Sequence, residues 1–131
     1  MKSNNNFQIG DWVSERMPGS GRLSPSMRIV GIWQDTVYLQ IDPEQGDPFE
    51  VDIKDIQPIP ITEEILMNNQ MYGEYLYDKG HLMVCPYEDR WTAEYKLNHS
   101  VHFLIQRIYF NYVHELQHFI SAVGETKEIV L

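Results

Sequence analysis

Cysteine is almost missing from this chain of 131 residues, since Cys85 stands alone. A single cysteine excludes a disulfide within the chain and is typical of a reducing compartment. Long apolar runs are missing as well: no segment approaches the roughly 18 to 20 apolar residues of a membrane-spanning helix. The N-terminal segment MKSNNNFQIG also lacks the apolar stretch of a signal peptide. We therefore expect a cytoplasmic protein with no membrane partner, in which residues 1–6 form a flexible tail.

Positive charge is scarce too, because ten lysines and arginines accompany 19 acidic residues for a net charge of −9. Proteins that bind phosphate backbones need a basic face, so this balance disfavours a nucleic-acid partner. An acidic protein can instead bind a basic protein or imitate nucleic acid. An acidic decoy that inhibits a nucleic-acid-binding host protein therefore stays open as one hypothesis.

Apolar residues are plentiful enough for a real core, at 43% of the chain. Residues 7–60 contain five short segments with strand character, separated by segments rich in Gly, Pro, Asp and Gln. Many short strands with tight connections are typical of a small barrel. The sequence predicts an N-terminal five-stranded Src-homology-3-like β-barrel over residues 7–60.

Residues 61–131 predict a second half that packs with the barrel as one compact unit. Thr62 is a plausible cap for a short helix, and residues 71–96 form three strand-like segments of a β-meander. Apolar residues then recur at steps of three and four, which indicates one long amphipathic helix. These residues are Leu97, Val101, Ile105, Ile108, Tyr112, Leu116, Phe119 and Val123. The predicted fold class is α+β.

The predicted long helix contains His114-Glu115-Leu116-Gln117-His118. Residues four apart are neighbours on one helix face, so His114 and His118 could hold one zinc ion. Glu115 could then act as general base on a zinc-bound water. This spelling is the zinc-protease signature, and it predicts a zinc-dependent hydrolase as the alternative function.

A catalytic zinc normally takes a third protein ligand, which the motif itself does not supply. Ser121 and Gly124 stand where the longer zinc-protease motif has its glycine and third histidine. The remaining candidates are His81, His99, His102, Glu125 and Glu128. We therefore favour no catalytic residue, no metal ligand and no cofactor, with Glu115, His114, His118 and zinc kept as the alternative.

Three segments carry a resemblance: IGDWV near the start, IQPIPITEEIL at residues 56–66, and NYVHELQHFISAVGETKEIVL at the end. In these the chain resembles a family of small proteins of unknown function from Bacteroidetes gut bacteria, their phages and mobile elements. In that family the motif is closer to His-Gln-Leu-Gln-Asn. Glu115 and His118 depart from that form, so the resemblance implies that the zinc spelling is local to this chain.

The far side of the predicted helix carries residues suited to contact with another protein: Phe103, Arg107, Phe110 and His114. Exposed aromatic side chains on a helix often mark a covered surface. The cover is either the barrel of the same chain, which we favour for a small protein, or a partner or second copy. The favoured prediction is an uncharacterised bacterial or phage protein that acts as a non-enzymatic protein-interaction module. Its partner is an unknown protein, and the chain itself is expected to be a monomer or a homodimer.

Overall fold

The structure, a computed structural model, describes residues 6–41, 46–98 and 105–131. The chain divides into two compact units, which we call unit 1 (Met1–Ile59) and unit 2 (Pro60–Leu131). Both units are built mainly from antiparallel strands. Neither helix found in the described ranges is long and apolar enough to cross a membrane.

Unit 1 is one antiparallel sheet in which short strands bury alternate side chains. In β3, for example, Val37 and Leu39 are buried while their neighbours are partly exposed. The sheet order is β4-β3-β2-β1-β5. The strands are β1 (Trp12–Glu15), β2 (Met27–Trp33), β3 (Thr36–Gln40), β4 (Phe49–Asp52) and β5 (Ile56–Pro58). The core residues are Val13, Met27, Ile29, Val37, Leu39, Val51 and Ile56, with Phe7 packed against them.

The closed barrel predicted for residues 7–60 is wrong, because the two edge strands of this sheet do not pair. Strand β4 pairs only with β3, and β5 pairs only with β1. Strand β4 has four residues, β5 has three, and a 3₁₀ turn at Ile53–Asp55 separates them. Strands this short offer few ladder hydrogen bonds with which to close a sheet. Unit 1 is therefore an open five-stranded sheet.

Unit 2 begins with a short helix and continues as a four-stranded meander. The hydroxyl oxygen of Thr62 accepts a hydrogen bond from the Ile65 N–H at 3.1 Å and so caps the first helix. The sheet order is β6-β7-β8-β9, with every neighbouring pair antiparallel. The elements are α1 (Glu63–Asn68), β6 (Gly73–Leu76), β7 (Gly80–Tyr87), β8 (Arg90–Leu97), β9 (Ile105–Phe110) and α2 (Val113–Ala122).

The long C-terminal helix is also wrong. Ile105–Phe110 is strand β9, paired along its length with β8, and α2 has only ten residues. The apolar spacing of three and four arises because a strand and a helix follow each other with only Asn111 and Tyr112 between them. Leu97, the first residue of the apolar pattern, is the last residue of strand β8. The described residues are thus mostly β, with two antiparallel sheets and two α-helices, and this replaces the predicted α+β class.

The four-stranded sheet has one buried face and one open face. The buried face, which we call the inner face, includes Leu82, Val84, Ala93, Tyr95 and Phe110. The C-terminal segment lies against it, because Tyr95 Oη donates to Glu125 Oε2 and the Lys127 ammonium lies 5.2 Å from the Tyr75 ring centroid. The opposite side of the same strands is the outer face.

Candidate interaction surface

The His-Glu-Leu-Gln-His segment forms the first half of α2, as the predicted zinc geometry requires. His114 is only 2% exposed, however, and lies among the buried residues of unit 2. Its ring stacks on Tyr112 at 6.0 Å and 19°, and it meets the half-buried His118 edge-on with ring centroids 5.5 Å apart. The first histidine of the motif is therefore part of an aromatic cluster inside the unit.

Glu115 has a structural role at the start of α2. Its Oε1 atom accepts hydrogen bonds from the backbone N–H groups of Asn111 and Tyr112, both at 3.0 Å. The first N–H groups of a helix have no partner within the helix, and an acidic residue in the first turn satisfies them. The same carboxylate is stabilised by the positive end of the helix. Glu115, the predicted general base, thus uses its carboxylate to cap the start of α2.

The remaining zinc-ligand candidates do not gather around α2. No group of three or more His, Cys, Asp or Glu side chains that could hold a metal ion occurs in the described ranges. His81 lies on β7, where its Nδ1 atom is 3.1 Å from Asn98 Oδ1. Glu125 accepts a hydrogen bond from the Tyr95 hydroxyl. His99 and His102 lie outside the described residues. The donor set that is present does not fit a catalytic zinc site.

The four residues predicted to bind a partner do not share one helix face. Phe110 is 2% exposed on the inner face of β9, and His114 is buried in α2. Phe103 lies outside the described residues. Arg107 alone among the three described residues is exposed, and it lies on the outer face of β9. The one exposed residue among them thus belongs to the four-stranded sheet and not to helix α2.

The outer face presents large apolar and aromatic side chains to solvent. Leu76 is 70% exposed, Met83 41%, Tyr87 49% and Tyr109 45%. These residues come from β6, β7 and β9, so they span the whole sheet. Exposed apolar groups collected on one face of a small domain, beside polar groups, are typical of an interaction site. The outer face is our candidate site.

The charged residues of the outer face lie beside this apolar set. The register places Glu74, Met83, Glu94 and Arg107 side by side across the four strands. Arg107 Nε donates to Glu94 Oε2 at 2.5 Å, and this hydrogen bond raises the pKa of the guanidinium. His81, Met83, Glu94 and Lys96 line a shallow pocket at the middle of the face. Glu74 approaches His81 Nε2 at 3.7 Å.

One end of the outer face is aromatic. The rings of Tyr87 and Tyr109 are 5.3 Å apart and tilted by 50°. The guanidinium of Arg90 lies 5.8 Å from the Tyr109 ring centroid, within range of a cation–π contact. Tyrosine and arginine are enriched among residues that contribute most to protein–protein binding. This end of the outer face therefore carries the residue types that are typical of a binding hot spot.

Arg107, one of the residues predicted to bind a partner, lies on the outer face, but the sequence analysis did not predict that surface. The available signal was the alternation in HLMVCPY, where Leu82 and Val84 are buried between residues of the outer face. Met83, Cys85 and Tyr87 are themselves apolar, so the alternation of polar and apolar residues is blurred. Comparison with protein-family models, curated proteins and solved structures found no match to this chain. The surface is therefore interpreted from its own geometry.

Proposed function

We propose that the chain is a non-enzymatic protein-interaction module that binds a protein partner through the outer face of unit 2. The observation that carries this proposal is the exposure of Leu76, Met83, Tyr87 and Tyr109 on one face of a sheet whose other face is buried. Removing such groups from water is the main favourable contribution to association. The flat face and its shallow pocket favour a protein over a small molecule, which usually binds in a deep cleft.

The zinc-dependent hydrolase lacks support because two of its three motif residues have other roles. His114 is buried and Glu115 caps α2. The acidic decoy stays a prediction that rests on the net charge of −9. A bacterial or phage setting and a cytoplasmic location are part of the proposal, and they rest on the resemblance of the three segments and on the single cysteine.

A capture experiment with matched variants tests the proposal. Met83 and Met67 are both exposed methionines of unit 2, at 41% and 58%, but Met67 lies on α1 and not on the outer face. Met83→Glu places a charge in the apolar part of the surface, and Met67→Glu makes the same chemical change elsewhere. Each protein is immobilised and exposed to lysate, and the retained proteins are identified by mass spectrometry.

The proposal expects a protein that is retained by the wild type and by Met67→Glu and is lost with Met83→Glu. Melting temperatures of the three proteins confirm that the variants are folded. If Met83→Glu retains the same proteins as the wild type, the outer face is not the binding surface. If none of the three retains any protein above an unrelated bait, and the chain does not associate with itself, the interaction function itself is refuted.

A further inference from the structure

We propose that the outer face is a homodimer interface, so that the protein partner is a second copy of this chain. This inference rests on the proposed function and names the occupant of the same surface. The two sheets would stack face to face, related by a two-fold axis that runs along the strands between β7 and β8. Packed sheets align their strands in this way to within about 30°.

The central row of the outer face is self-complementary under such an axis. The row reads Glu74, Met83, Glu94 and Arg107 from β6 to β9, with cross-strand partners Glu74–Met83, Met83–Glu94 and Glu94–Arg107. A two-fold axis along the strands reverses the row of the second copy. Glu74 then lies opposite Arg107 of the second copy, and the pair occurs twice because the interface is isologous. Opposite charges at the two edges thus meet their complements.

The middle of the row also fits a second copy. Reversal places Met83 opposite Glu94 and over the shallow pocket that Glu94 helps to line. Burial of an isolated carboxylate is costly, but a carboxylate with a hydrogen-bonded partner is tolerated. Glu94 has that partner in Arg107 of its own chain. Met83 is unbranched and flexible, so it is suited to filling an irregular pocket.

The charge balance of unit 2 further favours this face for self-association. Residues 60–131 carry ten acidic and five basic side chains, so most surfaces of two copies repel each other. The outer face has three cations, Arg90, Lys96 and Arg107, against Glu74 and Glu94. The outer face therefore does not share the excess of acidic residues that unit 2 has as a whole. Electrostatic complementarity of this kind selects the partner and the register.

The size of the face sets the expected affinity. Strand β6 has four residues, β9 has six, and β7 and β8 have eight each. At about 3.3 Å per residue and about 4.8 Å between strands, each copy would bury on the order of 400 Å², which is below the roughly 800 Å² per partner of standard stable complexes. We therefore expect a reversible dimer with a dissociation constant of about 10 µM to 1 mM.

Sedimentation equilibrium of the full chain measures this association directly. Samples span about 5 µM to 1 mM, and a reductant is present so that Cys85 of two copies does not form a disulfide. The proteins are the wild type, Glu74→Arg, Arg107→Glu and the double variant Glu74→Arg/Arg107→Glu. Glu63→Arg makes the same change in net charge as Glu74→Arg, on an exposed position of α1. Circular dichroism melting confirms that each protein is folded.

The proposal expects a wild-type dimer, at least about 10-fold weaker dimerisation for each single variant, and little change for Glu63→Arg. The double variant is expected to dimerise more tightly than Arg107→Glu, because each reversed charge again faces its opposite across the interface. Arg107→Glu is the right comparison because it and the double variant both lose the pair between Arg107 and Glu94 within the chain.

Three results would overturn the inference: a monomer at every concentration, single variants that dimerise like the wild type, or a double variant that dimerises no more tightly than Arg107→Glu. None of these results decides whether the same face binds a different protein in the capture experiment. A monomeric chain whose captured partner is lost with Met83→Glu would refute the homodimer and leave the interaction function standing.

Discussion

Individual residues of the apparent catalytic motif act in folding. Glu115 accepts two backbone N–H groups at the start of α2, and His114 packs between the rings of Tyr112 and His118. A zinc site would need both side chains to project toward a shared metal. The sequence could predict that residues 114 and 118 lie on one helix, but it could not predict that the carboxylate between them folds back onto the preceding backbone.

The capping role of Glu115 gives a prediction with a built-in control. Glu115→Ala removes the acceptor of two backbone N–H groups and is expected to lower the free energy of unfolding by about 0.5 to 2 kcal/mol. Glu115→Gln keeps an oxygen acceptor at the same place and is expected to retain most of that stability. Urea denaturation followed by fluorescence measures both. Equal losses for the two variants would show that charge, and not capping, is the contribution of this residue.

Tyr95 gives a prediction about alkaline pH. Burial, followed by the hydrogen bond to Glu125, raises the pKa of this phenol to about 12, from an ordinary value of 10. The folded state therefore holds the proton more tightly than the unfolded state. The resulting stability is fully present below about pH 10 and is lost as the pH rises to about 12. Unfolding by urea at a series of alkaline pH values should show this decline.

The Tyr95→Phe variant identifies the source of that decline. Without the phenol, the free energy of unfolding is expected to fall less steeply between about pH 10 and pH 12. Between about pH 7 and pH 9, below the titration of the phenol, the difference in the free energy of unfolding between Tyr95→Phe and the wild type should stay constant. A slope that is unchanged in Tyr95→Phe would contradict the assignment.

At the scale of elements, the end of the chain completes unit 2. The Asn69 side chain donates to the Val130 carbonyl at 3.0 Å and accepts from the Val130 N–H at 2.8 Å. Ile129 beside it is 1% exposed, whereas Val130 is 64% exposed. The segment after α2 is thus held by the buried side chain of Ile129 and by the side-chain amide of Asn69. This amide makes the same pair of hydrogen bonds to the Val130 backbone that a neighbouring strand would make.

The neighbouring residues Ile129 and Val130 form a matched pair for testing this anchor. Ile129→Ala is expected to cost about 2 to 5 kcal/mol, because it leaves a cavity in a buried site. Val130→Ala should change stability by less than about 0.5 kcal/mol, since the Val130 side chain is in solvent and its backbone remains. Thermal or urea unfolding measures both, and similar costs would show that the segment is not docked as described.

Helix α2 is short, so it depends on packing more than on its own propensity. Leu116 is fully buried at its centre. Leu116→Ala is expected to cost about 2 to 5 kcal/mol in the free energy of unfolding. Ser121→Ala, at an exposed position of the same helix, is the control and should be close to neutral. An unchanged midpoint for Leu116→Ala would contradict the packing of α2.

The boundary between β9 and α2 shows where sequence periodicity reaches its limit. Ile105, Ile108, Tyr112 and Leu116 follow helical spacing, although the first two belong to a strand. Over six residues, helical and strand patterns place apolar residues at overlapping positions. Pairing with β8 decides in favour of the strand, and that pairing is a long-range contact that local patterns do not encode. The meander and the cap at Thr62 were predictable because their signals are local.

For the whole molecule, the zinc content of the purified protein distinguishes the zinc-dependent hydrolase from the proposed binding module. Protein without a histidine tag, purified without chelator and dialysed, is expected to hold less than about 0.1 equivalent of zinc. The physical reason is that His114 is buried and that Glu115 caps α2. Plasma mass spectrometry gives the value. About one zinc per chain, lost when His114 or His118 is replaced, would contradict this prediction and revive the hydrolase.

Composition alone predicted an acidic chain with enough apolar residues for a core, but it could not show how charge is distributed. Arg90 and Lys96 share one face of β8 by strand alternation, but only the β8–β9 register brings Arg107 onto the same face. For the same reason, the exposed residues Leu76, Met83 and Tyr109 become a surface only after the sheet has formed. The candidate site therefore depends on strand pairing throughout.

Cys85 lies on the outer face of β7, half-buried, and it is the only cysteine in the 131 residues. A thiol reagent added in small excess would thus modify the protein at one place, within the surface where we expect binding. Its rate of reaction reports on that surface without any substitution in the chain. Slower labelling at higher protein concentration would register occupation by another copy, and slower labelling on addition of a different protein would register a foreign occupant. The native sequence thus contains its own footprinting probe.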